Sequence, residues 1–311
     1  MITTLNNTVS QKPSIVDAII KQGVGTAPIL KLISSGNLSA PKHSWITDRY
    51  ADAKDNAHLE ISDLGATPAP TKQKHENVAQ IIKNEFGLSS RELQMSHYGG
   101  KEWAYRVGKN GKEHLKDIEY AILGLGHAGG VESTFVEATD MVAPRMAGLF
   151  HYVPTEQRYT PTGYDPADPA SFKDLTMDEL HFFLEPLWKR GAMEDETFLC
   201  LIGSKLKNKV NNFAKDYIIK QNGDKRFDPT ITEIVTDFGN IKFQLHRHFA
   251  GAELGDKLLA GKFKEARAMY VSKTDFTEVP TSKTAKFGRY YTDLSLEVKN
   301  GDKFASAKGF K

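Results

Sequence analysis

A chain of 311 residues, 40% hydrophobic and 26% charged, is long enough for a large core and two domains and has the composition of a globular protein. Its 41 basic and 39 acidic residues leave a net charge of +2, which excludes nucleic-acid binding by bulk charge neutralisation. A single cysteine excludes an internal disulfide and fits a reducing compartment. No run approaches 18 consecutive apolar residues, and MITTLNNTVSQ lacks the charged start and apolar centre of a secretory signal.

Residues 1–12 are polar. Pro13 and Ser14 open a short helix over Ile15, Val16, Ile19 and Ile20, closed by Gly23. TAPILKLI (26–33) is too short to form a core, so Ile29, Leu30 and Leu32 are expected to be covered by another chain. HSWITDRY (43–50) alternates as a strand and brings Trp45 to the same kind of contact. The polar stretch after it, with Pro68 and Pro70, reads as the tip of a projecting hairpin that another subunit orders. NVAQIIKNEF (77–86) fits a helix and a strand alike, and periodicity leaves both open.

The organising element is the stretch Ser89–Leu125. Ser89 and Glu92 form a capping-box signature. Ala104, Val107, Gly111, Leu115, Ile118, Ile122 and Leu125 then recur at steps of three and four, one narrow apolar stripe. Lys109 and Glu113 are a solvated pair at helical spacing. A continuous helix here is a rod about 55 Å long, too long for the inside of one core. Gly99, Gly100, Gly108 and Gly111 oppose it, at about 1 kcal/mol each, and the Gly99–Gly100 pair is where it would break.

Beyond the rod, Thr176 and Glu179 cap a helix over 175–191 that buries Leu180, Phe183, Leu184 and Leu187, bends at Pro186 and ends at Gly191. TFLCLIG (197–203) is a buried strand with an inert Cys200, and Ser204 opens a helix carrying Leu206, Val210 and Phe213. ITEIVTDFGNIKFQLHRHF (231–249) gives two strands around Gly239-Asn240. ARAMYV and KFGRYYTDLSLEV add more, with Leu294, Leu296 and Val298 on one face. Helices and strands mix without βαβ alternation, so the fold class is α+β.

Motifs of catalysis are scarce. Gly124, Gly126 and Gly129 match the G-x-G-x-x-G pattern of a dinucleotide-dependent oxidoreductase, but the stripe predicts a helix before them, where that fingerprint needs a strand. His246 and His248 share one strand face as a metal pair would, yet no third ligand has recognisable spacing; a surface pair beside Arg247 is the simpler reading. Glu194, Asp195 and Glu196 read as a solvated run. Trp103, Tyr105, Tyr290 and Tyr291 read as core or interface anchors. No catalytic, cofactor-binding or metal residue is assigned.

In order along the chain, TAPILKLI, HSWITDRY, GKEHLKDIEYAILG, RMAGLFHYV, TDFGNIKF and YTDLSLEVKNG resemble the tailed-bacteriophage major capsid proteins of the Hong Kong 97-like fold, in their SU-ten-type branch. The resemblance implies an N-terminal arm (1–42), an extended E-loop hairpin (43–88), a peripheral (P) domain with a spine helix (89–145 and 276–311) and a central axial (A) domain (146–275). It also turns 77–86 towards a strand. The implied function is a non-enzymatic shell subunit that assembles as hexamers and pentamers into an icosahedral head around double-stranded DNA. Portal, scaffolding and decoration proteins are the implied partners, with no membrane and no cofactor. Assembly would take place in the host bacterial cytoplasm, and the arm's early start implies a separate scaffold. An encapsulin-like shell of a cellular compartment is the alternative with the same fold.

Overall fold

The computed structural model describes residues 27–51, 53–58, 60, 72–97, 100–191, 198–217 and 233–311, without the side chains of 213–217. The helix expected over 13–23, the hairpin tip and Glu194–Glu196 lie outside the described residues. A single turn, α1 (Ile29–Leu32), leads into β1 (Ser34–Asn37). Next, β2 (Lys42–Thr47) and β3 (Gln73–Val78) pair antiparallel as a ribbon, with Lys42 opposite Val78 and Thr47 opposite Gln73. The ambiguous 77–86 segment is extended: its later part lies in β4 (Gln80–Ser89), where β-branched Ile82 points into the core.

The rod is broken. Ser89 caps a five-residue helix, α2 (Ser90–Gln94), and the spine proper is α3 (Glu102–Ile122), 21 residues or about 31 Å. Met95 leaves the helix with ψ 148, and Gly100 sits at φ +97, outside the right-handed helical region. The 37-residue helix of the sequence reading is therefore two helices, and the Ser89 hydroxyl, which accepts the Glu92 amide, caps the short first one and not the spine.

Then follow β5 (Arg158–Tyr159), α4 (Met177–Lys189), β6 (Phe198–Ile202), α5 (Ser204–Tyr217), β7 (Glu233–Thr236), β8 (Gly239–Leu245) and β9 (Leu258–Gly261). A long hairpin, β10 (Ala266–Val279) and β11 (Ala285–Val298), precedes β12 (Phe304–Ala307). Two main sheets result. The first runs β1-β10-β11-β4, with α3 packed on β4 and β11; the second runs β5-β12-β9-β6-β8-β7, with α4 and α5 packed on it. Each has its own core. Ile118, Ile122, Ile82, Leu294 and Leu296 fill the first; Phe183, Leu187, Phe198, Ile241 and Phe243 fill the second.

The strand pairing changes sheets at Ala266, earlier than the boundary at 276 drawn from sequence. β10 pairs with β11 from Ala266↔Val298 to Val279↔Phe287 and cannot be divided between domains. Conversely, Phe304–Ala307 returns to the second sheet against β9.

Candidate functional site: spine, arm base and ribbon

α3 meets its sheet through a mixed face. Ile118 and Ile122 are fully buried and Val107 is half-buried, but Leu115 is 38% exposed and Ala104 is also outside. The place expected for Leu115 belongs to its neighbour His114, which is fully buried. His114 Nδ1 lies 2.6 Å from Asn84 Oδ1 and Nε2 lies 2.7 Å from Thr292 Oγ1. The sheet presents polar groups there, so an imidazole that hydrogen-bonds twice fits where leucine would leave them unpaired. Toward the N-terminus, Trp103 packs with Phe86 and Phe276, and the Tyr290 hydroxyl donates to Val107 O at 3.0 Å beside Gly111. Trp103 and Tyr290 are thus anchors of the spine.

The base of the arm is tied to the same helix. Glu119 is 2% exposed, and its Oε1 accepts the Ile29 amide at 2.6 Å and faces His246 Nε2 at 3.3 Å. Ile29 is fully buried in the first core, so this residue has no surface left for a neighbouring chain; that correction follows from α1 docking at home. Leu30 and Leu32 are only half-buried against that core.

Several contacts fasten the ribbon, His43 to Glu297 and Lys42 to Glu137 (2.9 Å each) among them. Trp45 Nε1 donates to Val298 O at 2.9 Å, and its ring lies 5.2 Å from that of Tyr152, whose hydroxyl donates to Glu76 O. Trp45 is thus half-buried and already engaged within its own subunit. Buried Asn77 donates to Leu296 O (2.7 Å) and Ala147 O (3.2 Å) and accepts from Ala147 N (2.9 Å). On the exposed edge, Lys42 and Lys74 flank Glu76; the Lys74 hydrogen bond, then that of Lys42, lowers its carboxyl pKa to about 2.

The two motifs singled out for chemistry have structural roles. Gly124 (φ +76) and Gly126 (φ +79) end α3 in left-handed turns, and a Cβ on Gly124 would meet Val131 O at 2.8 Å. A helix precedes them and turns follow, which removes the dinucleotide reading. His246 is 4% exposed and lies past the end of β8, with the buried Glu119 carboxylate 3.3 Å from its Nε2, whereas His248 is half-buried, so only one of the two is at the surface. Among the described residues no group of three His, Cys, Asp or Glu could hold a metal, and no helix is long and apolar enough to cross a membrane. Cys200 is buried, and burial raises its thiol pKa, which leaves it inert.

The described residues thus build a spine across one sheet, a two-stranded ribbon and an arm base at the spine's C-terminal end. The model of the SU10 major capsid protein family matches residues 2–311. The chain belongs to that family. As a phage major capsid protein, it builds the shell of the head. The curated major capsid protein of Escherichia phage Phieco32 is 28% identical over 141 residues, and the match spans 40% of each chain. In fold, the chain is similar to the capsid of cyanophage A-1(L), at 13% identity, TM-score 0.67 and 99% of both chains. It is also similar to the capsid of cyanophage P-SCSP1u (11%, TM-score 0.65, 97% of this chain and 94% of that one). The SrpI encapsulin complex of Synechococcus elongatus PCC 7942 shares the fold at 10% identity and TM-score 0.60, over 100% of this chain and 96% of the other.

This capsid protein also exposes apolar side chains that no sequence pattern flagged. Ile46 lies on the ribbon and Tyr50 (98% exposed) three residues past the end of β2, Met141 (97%) and Val142 in the loop bridged by Val136 and Arg145, and Phe182 and Trp188 on α4. They lie on separate elements of the chain. Helical period alone assigns Phe182 and Trp188 to the solvent side, but large aromatics there are unusual enough to have been a signal.

Proposed function

We propose that this capsid protein assembles as hexamers and pentamers into the icosahedral head of a tailed bacteriophage, around its double-stranded DNA genome. The family match across residues 2–311 carries the reading. Heterologous contacts that close into rings make such capsomers from one chain, and the exposed aromatics Tyr50, Phe182 and Trp188 supply apolar area for those contacts. The arm covers 1–42, the E-loop is built on the ribbon (43–88), the P domain holds the spine with the long hairpin, and the A domain holds the second sheet. Leu30 and Leu32, half-buried at home, are completed by a neighbouring copy. Portal, scaffolding and decoration proteins are the further partners, in a shell assembled in the host bacterial cytoplasm.

Electron microscopy of the overexpressed protein, alone and with its neighbouring genes, tests this: closed shells with five- and six-fold capsomers are expected. Removal of residues 1–25 is expected to leave a folded subunit that assembles poorly; normal shells from that truncation would overturn the role of the arm. The likeness to an encapsulin complex motivates the one competing reading, a cellular compartment. Portal and terminase genes beside this one support the phage head, and a cargo-enzyme gene in their place overturns it.

A further inference from the structure

Where the arm base, the spine and the turn after β8 meet, a cleft of about 320 Å³ is lined by Pro28, Lys116, Glu119, His246, Arg247 and His248. Its charges are unevenly engaged. The side chains of Lys116 and Arg247 have no hydrogen bond or ion pair among the described residues. The one carboxylate, Glu119, is withdrawn: its Oε1 accepts the Ile29 amide and faces buried His246. That leaves two full positive charges and the half-buried His248 imidazole, whose ring centroid lies 5.5 Å from that of His246. Burial first, then His246, holds the His248 pKa below its ordinary value, with Lys116 acting in the same direction and Glu119 against it.

An arginine fork, an ammonium and an imidazole N–H on one concave wall form charge-assisted hydrogen bonds to several oxygens of one anion. A carboxylate offers two oxygens; a phosphate offers more, spread over a tetrahedron that donors from separate elements can share. We propose that this cleft binds a phosphate oxyanion through Lys116, Arg247 and His248. The phosphate comes either free in solution or as a backbone phosphate of duplex DNA. The second source rests on the proposed container function; the first does not.

The experiment uses unassembled full-length protein and follows the His248 ring resonances across pH, assigned with His248→Gln. Inorganic phosphate is added against acetate and chloride at equal ionic strength. An anion beside an imidazole favours its charged form, so phosphate is expected to raise the His248 pKa while acetate leaves it unmoved. Lys116→Gln combined with Arg247→Gln should weaken phosphate binding about tenfold or more with an unchanged melting temperature. A His248 titration indifferent to phosphate, an equal response to acetate, or full affinity in the double variant would each overturn the proposal. In a second arm a short DNA duplex replaces phosphate. Loss of about 2 from the slope of log K against log salt in the double variant assigns the site to backbone phosphate. A duplex that does not bind, while inorganic phosphate does, supports the oxyanion site with a free ion as its ligand.

Discussion

His114 Nε2 lies 2.7 Å from Thr292 Oγ1, across the interface between the spine and β11, one of the two inner strands of its sheet. Asn84 Nδ2 donates to Asp117 at 2.7 Å, so its Oδ1 faces His114 Nδ1 as an acceptor and places a proton on Nδ1. Burial, the larger cause, lowers the His114 pKa, and Asp117 opposes it. His75, His151 and His248 are also depressed chiefly by burial.

For a histidine depressed in the folded state, the unfolded chain takes up its proton first as pH falls. The stability these rings contribute is present above the ordinary value of 6.5 and is lost as pH drops below it towards the folded pKa values. The melting temperature of the unassembled subunit is therefore expected to be level above pH 6.5 and to fall on acidification, less steeply in His114→Gln. A melting temperature that rises on acidification would overturn this assignment.

Ile118 and Leu115 differ in burial although the stripe treats them alike. Ile118→Asp places a charge with no partner in the first core and should cost on the order of 3–5 kcal/mol, enough to prevent soluble expression. Leu115→Asp, on the exposed side, should change stability by about 0.5 kcal/mol or less. Expression and thermal melting of the pair decide it, and equal damage from both would refute the observed face of the helix.

The contrast marks what the residues alone could reveal. Ile118 and Ile122 were legible because apolar side chains at helical spacing have one use. His114 was not: it stands about 100° round the helix from Leu115, and hydrophobicity always ranks leucine first. Only Asn84 and Thr292, placed opposite by strands β4 and β11, make the histidine the better fit. Glu119 was hidden for the same reason, since its partners Ile29 and His246 lie far away in sequence. At Ser89 the hydroxyl accepts the Glu92 amide, but the helix it opens stops at Gln94, because Met95 turns extended and Gly100 beyond it is left-handed. Ordered local runs identified the family, whereas the contacts that fasten arm and ribbon arise from pairing over long separations.

Asn77 is expected to be among the residues least tolerant of change outside the apolar core. Asn77→Ala leaves the carbonyls of Ala147 and Leu296 and the Ala147 amide without partners in a buried site. Each such group costs about 1–3 kcal/mol, so a loss of roughly 3 kcal/mol or more is expected in denaturant unfolding. Asn77→Asp should be worse still, because a second oxygen replaces the amide that donates to both carbonyls. A neutral outcome for Asn77→Ala would mean that the ribbon base is held without this clamp.

Gly108 and Gly111 look equivalent in the sequence, two helix-weakening glycines one turn apart, yet their surroundings separate them. A Cβ on Gly108 meets nothing within 4 Å, so Gly108→Ala removes backbone entropy from the unfolded chain at no steric cost. A gain of about 1 kcal/mol is expected, read as a higher melting temperature. A Cβ on Gly111 would lie 3.0 Å from the Tyr290 hydroxyl and 3.1 Å from its ring carbon, on the side chain that donates to Val107 O. Gly111→Ala gains the same helical propensity but pushes Tyr290 off its acceptor, so the two effects should nearly cancel. Gly111→Val, which adds bulk and a stiff β-branch, should lower the melting temperature. If Gly111→Ala stabilises as much as Gly108→Ala, the notch is not what seats Tyr290 against the spine.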